Sequence, residues 1–116
     1  MMTDEDVQLR FRKLVNLTAR ELEAWLGTEE SKSVGQDSGD GESVGRKSGR
    51  RILAILRKRG EPTREDIQHM RRVVSFIARH RAQGPRRHAA TSRWRYSLMN
   101  WGHDPLKLDA TDTPWR

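Results

Sequence analysis

Apolar residues recur along this chain at intervals of three and four, the spacing that places them on one face of an α-helix. On this basis, helices are predicted over residues 4–16, 19–26, 44–59, 64–83 and 93–101. In the first of them Val7, Phe11, Leu14 and Val15 form the apolar face. No segment alternates apolar and β-branched positions with polar ones for long enough to predict a strand. The pattern therefore predicts an all-α fold, a small bundle of four to five helices.

Polar residues that favour helix ends flank several of these segments. Thr18 and Glu21 have the spacing of a capping box, in which the Thr hydroxyl and the Glu carboxylate each accept from a free backbone N–H. Thr63 and Asp66 repeat this arrangement before the longest helix. Ser43 is expected to cap the helix that starts at residue 44. These signals predict where the helices begin.

The segments between the helices divide the chain into one domain and its appendages. Residues 28–42 are rich in Ser, Gly, Asp and Glu and are predicted to form a long flexible loop. Residues 85–92 are predicted to form a basic linker, and residues 105–116 a loose tail. A single helical domain is therefore expected over residues 1–104.

The composition is polar for a folded protein and excludes several classes. Of the 116 residues, 34% are hydrophobic and 34% are charged, so the core is expected to be small. The absence of cysteine excludes disulfides and thiolate metal sites. The N-terminus is acidic and lacks the apolar segment of a secretory signal, and no apolar run reaches the length of a membrane span. We expect a cytoplasmic protein with no membrane association.

Positive charge is concentrated in the middle of the chain. The formal net charge is +7, but residues 46–95 carry 16 Lys and Arg residues against 3 Asp and Glu residues. Residues 1–45 carry 5 against 10. Such a basic segment repels itself unless a partner or counter-ions neutralise it. The asymmetry indicates an anionic partner, with nucleic acid as the first candidate.

The helix predicted over residues 44–59 is the first candidate for the binding surface. Ile52 and Leu56 lie on its apolar side, and Gly45 and Gly49 on the same side allow a partner helix to approach closely. Its basic residues are expected to face outward, where guanidinium groups suit phosphate oxygens. The candidate nucleic-acid-binding residues of this helix are Arg46, Lys47, Arg50, Arg51, Arg57 and Lys58.

A second basic cluster lies around the predicted linker. It consists of Arg86, Arg87, Arg93 and Arg95. Basic arms with interleaved aromatic residues enter a minor groove or stack on bases. Trp94 shares a face with Leu98 and Trp101, however, and is expected in the core.

Catalytic, metal and cofactor sites are not predicted. His103 and Asp104 follow Gly102 at the end of the last helix and are expected to stabilise a turn, because no nucleophile is evident beside them. His69 and His80 lie about 16 Å apart along one helix and cannot share a metal ion. No catalytic residue, metal ligand or cofactor is therefore assigned.

Several stretches in combination resemble a family of small microbial proteins of unknown function, some of which are labelled DNA-binding. The stretches are residues 14–22, 25–26, 28–31, 48–50, 66–72, 79–80 and 97–105. The resemblance extends from about Leu9 to Lys107 and implies no set of functional residues. The arginines of residues 86–95 exceed what is typical of the family.

These observations lead to one hypothesis and one alternative. The chain is interpreted as a non-enzymatic nucleic-acid-binding protein that contacts the phosphates of double-stranded DNA, in preference to RNA, with weak sequence preference. Such a protein would be associated with the nucleoid. The alternative is a protein–protein interaction module that binds an acidic partner or associates with itself, and the acidic first helices are then candidates to cover the basic helix in cis.

Overall fold

The computed structural model describes residues 2–35, 39–85 and 87–107, and these form a single all-α globule. Six α-helices follow one another, with a short 3₁₀ turn at Ala89–Thr91. They are α1 (Asp4–Leu14), α2 (Ala19–Leu26), α3 (Glu29–Lys32), α4 (Val44–Arg57), α5 (Arg64–Gln83) and α6 (Arg93–Asn100). No strand occurs in the described ranges. The predicted all-α fold is confirmed.

The helix starts follow the predicted caps. The hydroxyls of Thr18 and Thr63 accept from backbone N–H groups three residues on, and Glu21 and Asp66 complete the two capping boxes. Ser43 caps α4 in the same way. The bounds of α2 and α5 are those predicted, whereas α1, α4 and α6 end one or two residues earlier than predicted.

Three of the predicted irregular segments contain ordered structure. The expected loop over residues 28–42 holds α3, which Thr28 caps by accepting from Ser31 N–H, so the prediction was wrong there. The predicted basic linker contains the 3₁₀ turn. The predicted tail is held at Lys107, whose ammonium donates to Asn16 O at 2.8 Å and to Glu21. The rest of that tail, from residue 108, lies outside the described residues.

The core forms where α1 packs along α5 and where α4 contacts α2, α5 and α6. Leu22, Ile52, Ile77 and Leu98 are fully buried there. Gly49 brings α4 and α6 together, because an added Cβ would lie 2.5 Å from Asn100 O. The predicted close approach at this face is therefore confirmed.

The turn after α6 contacts the segment between α1 and α2. Gly102 has φ of +81°, which a residue without Cβ adopts readily, and His103 N–H bonds back to Leu98 O in a Schellman motif. Asn16 and Asp104 exchange two hydrogen bonds, of 2.8 and 3.0 Å, between side chain and backbone. These bonds fasten α6 to the segment between α1 and α2.

Candidate functional site

Arg46 is not a surface residue, and its prediction as part of an exposed basic face was wrong. Its relative exposure is 7%. Nη1 donates to Leu26 O at 2.6 Å and to the Ser31 hydroxyl at 2.8 Å, and Nε lies 3.4 Å from Glu42. Arg46 thus bonds α4 to the end of α2 and to α3, and it cannot reach a nucleic acid.

The other predicted cations of α4 lie at the surface, but each faces a carboxylate of this chain. Arg50 makes a bidentate pair with Glu42, at 2.7 Å for the shortest bond. The remaining pairs are Lys47 with Asp40, Arg51 with Asp66, Arg57 with Glu23, and Lys58 with Asp66. The basic side of α4 is therefore largely neutralised within the domain.

The second predicted cluster is dispersed. Arg95 forms a bidentate pair with Asp104, at 2.9 and 3.0 Å, and Arg93 donates to Ser33 O at 3.0 Å. Arg87 is exposed, and Arg86 lies outside the described residues. Trp94, which was predicted in the core, is half-buried and packs against the core, and its Nε1 donates to His80 O at 2.7 Å.

The structure brings a different set of cations together along the groove between α4 and α5. Three adjoining depressions open there, and Arg72 lines all three. The middle one also contacts Lys47 and Arg51, and the largest, about 510 Å³, contacts Arg71 and Arg79. We call these five residues, Lys47, Arg51, Arg71, Arg72 and Arg79, the basic groove.

Two cations of the basic groove have no carboxylate partner in the part of the chain that the structure describes. Arg72 is exposed and forms no ion pair there, and Arg79 donates only to Ser75 O of its own helix, at 3.4 Å. Arg71, in contrast, pairs with Asp4 at 2.9 Å and donates to Met2 O. Arg72 and Arg79 are thus the cations most available to an external anion.

Sequence reasoning missed these two arginines, although a signal for them exists. Polar residues recur along α5 at intervals of three and four, on the side opposite its apolar arc. They are Arg64, Gln68, Arg72, Ser75 and Arg79. A stripe of this kind marks a helix face that points to solvent.

His69 lies at the floor of the basic groove but does not add to its charge. Its Nε2 is 2.9 Å from Ser48 Oγ, and its ring stacks on Trp101 with centroids 6.4 Å apart. Burial lowers the pKa of His69, and the nearby charges of Arg72 and Arg51 lower it further. The imidazole is therefore neutral at pH 7, and the lysine and arginines carry the positive charge.

His103 and Asp104 form the structural turn that was predicted for them. His103 Nδ1 lies 2.6 Å from Leu14 O, and Asp104 Oδ1 accepts from Leu106 N–H as well as from Arg95.

No group of three or more His, Cys, Asp or Glu residues with metal-binding geometry occurs within residues 2–35, 39–85 and 87–107. In the same ranges, no helix has the length and apolar character needed to cross a membrane.

Comparison with known proteins assigns no role to the basic groove. A family model described as a protein of unknown function (DUF3140) matches residues 10–99. No curated protein and no solved structure matches the chain significantly. The predicted membership of a family of unknown function is confirmed, whereas the DNA-binding label stays a prediction.

Proposed function

The chain belongs to this family of unknown function, and we propose that it is a non-enzymatic protein that binds double-stranded DNA by holding phosphates in the basic groove. The supporting observation is Arg72. It is exposed, has no ion-pair partner among the described residues, and lies where three depressions meet. Four further cations surround these depressions.

The spacing of the free cations suits a phosphate backbone. Arg72 and Arg79 are seven residues apart on α5, about 10 Å along its axis. DNA carries one phosphate about every 3.4 Å along each strand, so the two arginines span about three phosphates. Both have planar guanidinium forks that can bond phosphate oxygens in bidentate fashion.

The ion pairs at the groove do not prevent binding. The side chains of Lys47, Arg51 and Arg71 remain 40–45% exposed. Exposed pairs contribute only about 0.2–1 kcal/mol each, so these cations can exchange a carboxylate for a phosphate. Phosphate contacts position a protein without reading bases, and we therefore expect weak sequence preference.

The test is a fluorescence-anisotropy titration of a labelled random-sequence duplex of about 20 base pairs, repeated over a salt series. We expect a dissociation constant in the micromolar range or below. The logarithm of the association constant should fall linearly with the logarithm of salt concentration. Arg72→Glu should weaken binding at least about tenfold and make the salt slope shallower by about 0.9. Arg81→Glu is the matched control, because Arg81 is exposed on the same helix and lines none of the three depressions.

Two results would contradict the proposal. One is equal weakening by the two charge reversals, which would assign binding to net charge and not to the groove. The other is no binding at low salt. That result would favour the alternative function, an interaction module for an acidic protein or for a second copy of this chain.

A further inference from the structure

The largest depression of the groove is a cavity of about 510 Å³ between three helices. The first turn of α4 closes one side with Val44 and Gly45, the outer face of α5 forms the second, and Ser97 and Trp101 at the end of α6 form the third. Its volume falls within the range of about 300–1,000 Å³ that small-molecule sites occupy. The cavity is therefore large enough for a ligand and not only for water.

The charged residues among the described lining of the cavity are all cationic. Arg71, Arg72 and Arg79 line it, and no carboxylate occurs among its described lining residues. This sets it apart from the surface of α4, where each exposed cation that was predicted to bind faces an acid. A ligand in the cavity is therefore expected to carry negative charge close to the arginines.

Aromatic side chains line the same cavity beside the arginines, and two of them, Phe76 and His80, also belong to α5. Phe76 and Trp101 stack with ring centroids 4.2 Å apart, and Phe76 and His80 stack with centroids 5.0 Å apart. Both Phe76 and His80 are only half-buried. Such a wall favours a ligand with a flat, apolar body near the charged group.

The polar atoms on this side favour a ligand that can also form hydrogen bonds. Ser75 and Ser97 add hydroxyl groups to the lining. These hydroxyls can form hydrogen bonds with the polar edge of a nucleobase, which a purely hydrocarbon body lacks.

We propose that this cavity binds a nucleoside monophosphate unit, with the phosphate at Arg72 and Arg79 and the base against Phe76 and His80. The unit is either a free nucleotide or an unpaired nucleotide of a nucleic-acid strand. Only binding of an unpaired nucleotide in a strand rests on the proposed function. It adds recognition of unstacked bases to the proposed contacts with the duplex backbone.

The experiment is a titration followed by ¹H–¹⁵N NMR, with adenosine monophosphate, adenosine and inorganic phosphate as separate probes at equal millimolar concentrations. Adenosine monophosphate should shift the amides of Gly45, Phe76 and Ser97 and the Trp101 indole N–H. Adenosine and phosphate alone should bind at least about tenfold more weakly, because each lacks one of the two contacts.

Two cavity variants and one control test the location. Arg79→Gln should weaken binding of adenosine monophosphate about tenfold, the equivalent of one charge-assisted hydrogen bond. Arg81→Gln, which makes the same change outside the cavity, should alter it less than about twofold. Ser97→Leu should block the cavity and abolish the shifts. Ser97 is half-buried, so the leucine variant could fail to fold. Arg79→Gln is on the exposed face and tests the location of the site in that case.

Further arms identify the source of the nucleotide. Displacement of adenosine monophosphate by a single-stranded oligonucleotide supports an unpaired nucleotide as the occupant, and a lack of displacement supports the free nucleotide.

The inference is overturned if phosphate alone reproduces the shifts, if Arg79→Gln and Arg81→Gln act equally, or if the cavity amides do not move. If a blunt duplex binds through Arg72 and adenosine monophosphate does not bind, the groove proposal stands and the nucleotide proposal is rejected. If adenosine monophosphate binds and the duplex does not, only the groove proposal is rejected.

Discussion

The Arg46 guanidinium donates to the Ser31 hydroxyl at 2.8 Å, although the two residues lie in different helices. The same nitrogen donates to Leu26 O. Ser31 in turn donates to Asn100 Oδ1 at 2.5 Å, and Trp25 Nε1 donates to that oxygen at 2.8 Å. One buried cation is thus the start of a hydrogen-bond network that connects α2, α3, α4 and α6.

Replacing Arg46 with Met should lower the free energy of unfolding by about 3 kcal/mol, because the Leu26 carbonyl and Ser31 hydroxyl lose their donor in a buried site. Arg50→Met is the matched control. Arg50 also pairs with Glu42, but its side chain is 58% exposed, so the loss should be under about 1 kcal/mol. Urea unfolding measures both. Equal losses would show that the network does not stabilise the fold.

Replacing Gly49 with Ala should destabilise the protein although alanine favours helices by about 1 kcal/mol. The new Cβ would lie 2.5 Å from Asn100 O and 3.0 Å from a Leu26 methyl group, and a backbone atom cannot move without displacing α6. We expect a net loss of about 2 kcal/mol in urea unfolding.

Gly27→Ala is the control for this prediction. Gly27 has φ of −83°, and the nearest atom to its added Cβ is 3.5 Å away. Alanine fits there and should stabilise the protein by about 0.5 kcal/mol, because it lowers the conformational entropy of the unfolded chain. A stabilising effect at Gly49 as well would mean that α4 and α6 are not in tight contact.

Asp66 should make the protein sensitive to acid. The Lys58 ammonium at 2.7 Å and the Thr63 N–H lower the pKa of this carboxyl well below its usual range. The unfolded chain therefore takes up the proton first as the pH falls below about 4, and stability is lost from there downward.

The measurement is the urea midpoint as a function of pH in the acid range for Asp66→Asn. This variant should be less stable at neutral pH and should lose less stability on acidification than the unsubstituted protein. Glu61→Gln, at an exposed position, is the control and should keep the full acid dependence. An unchanged acid dependence in Asp66→Asn would reject the role of Asp66.

Two half-buried histidines and one buried histidine should cause a second loss of stability at higher pH. Burial lowers the pKa of His69, His80 and His103. Below about pH 6.5 the unfolded chain then binds more protons than the folded one, so stability falls as the pH drops from about 7 to about 5. Urea midpoints over this range should decrease, and the decrease should be smaller in His69→Gln. A flat profile in the unsubstituted protein would contradict this prediction.

The helices were predictable because their signals are local. Thr63 and Asp66 lie three residues apart and define the start of α5 without reference to the rest of the chain. The burial of Arg46 was not predictable in this way. A helical wheel places it with Arg50, and only the packing of α3, which was predicted as loop, decides that one is buried and the other exposed.

The candidate site was predictable only in part for the same reason. Lys47 and Arg51 were among the predicted binding residues, but their availability depends on whether Asp40 and Asp66 fold against them. Arg72 and Arg79 were not predicted because the strongest signal in α5 is its apolar face. Their importance comes from the lack of an ion-pair partner for either of them in the described structure, and that is a property of tertiary contacts.

The paired hydrogen bonds between Asn16 and Asp104 have a consequence for biosynthesis. The two residues are separated by 88 positions, so the ribosome must add α6 and its turn before Asn16 finds its partner. At about 5–20 residues per second, the nascent chain waits several seconds with this segment unpaired. Gly49 likewise lacks the backbone of α6 until then. The domain therefore closes only after α6 has been synthesised, and a chain truncated before α6 lacks the partner of Asn16.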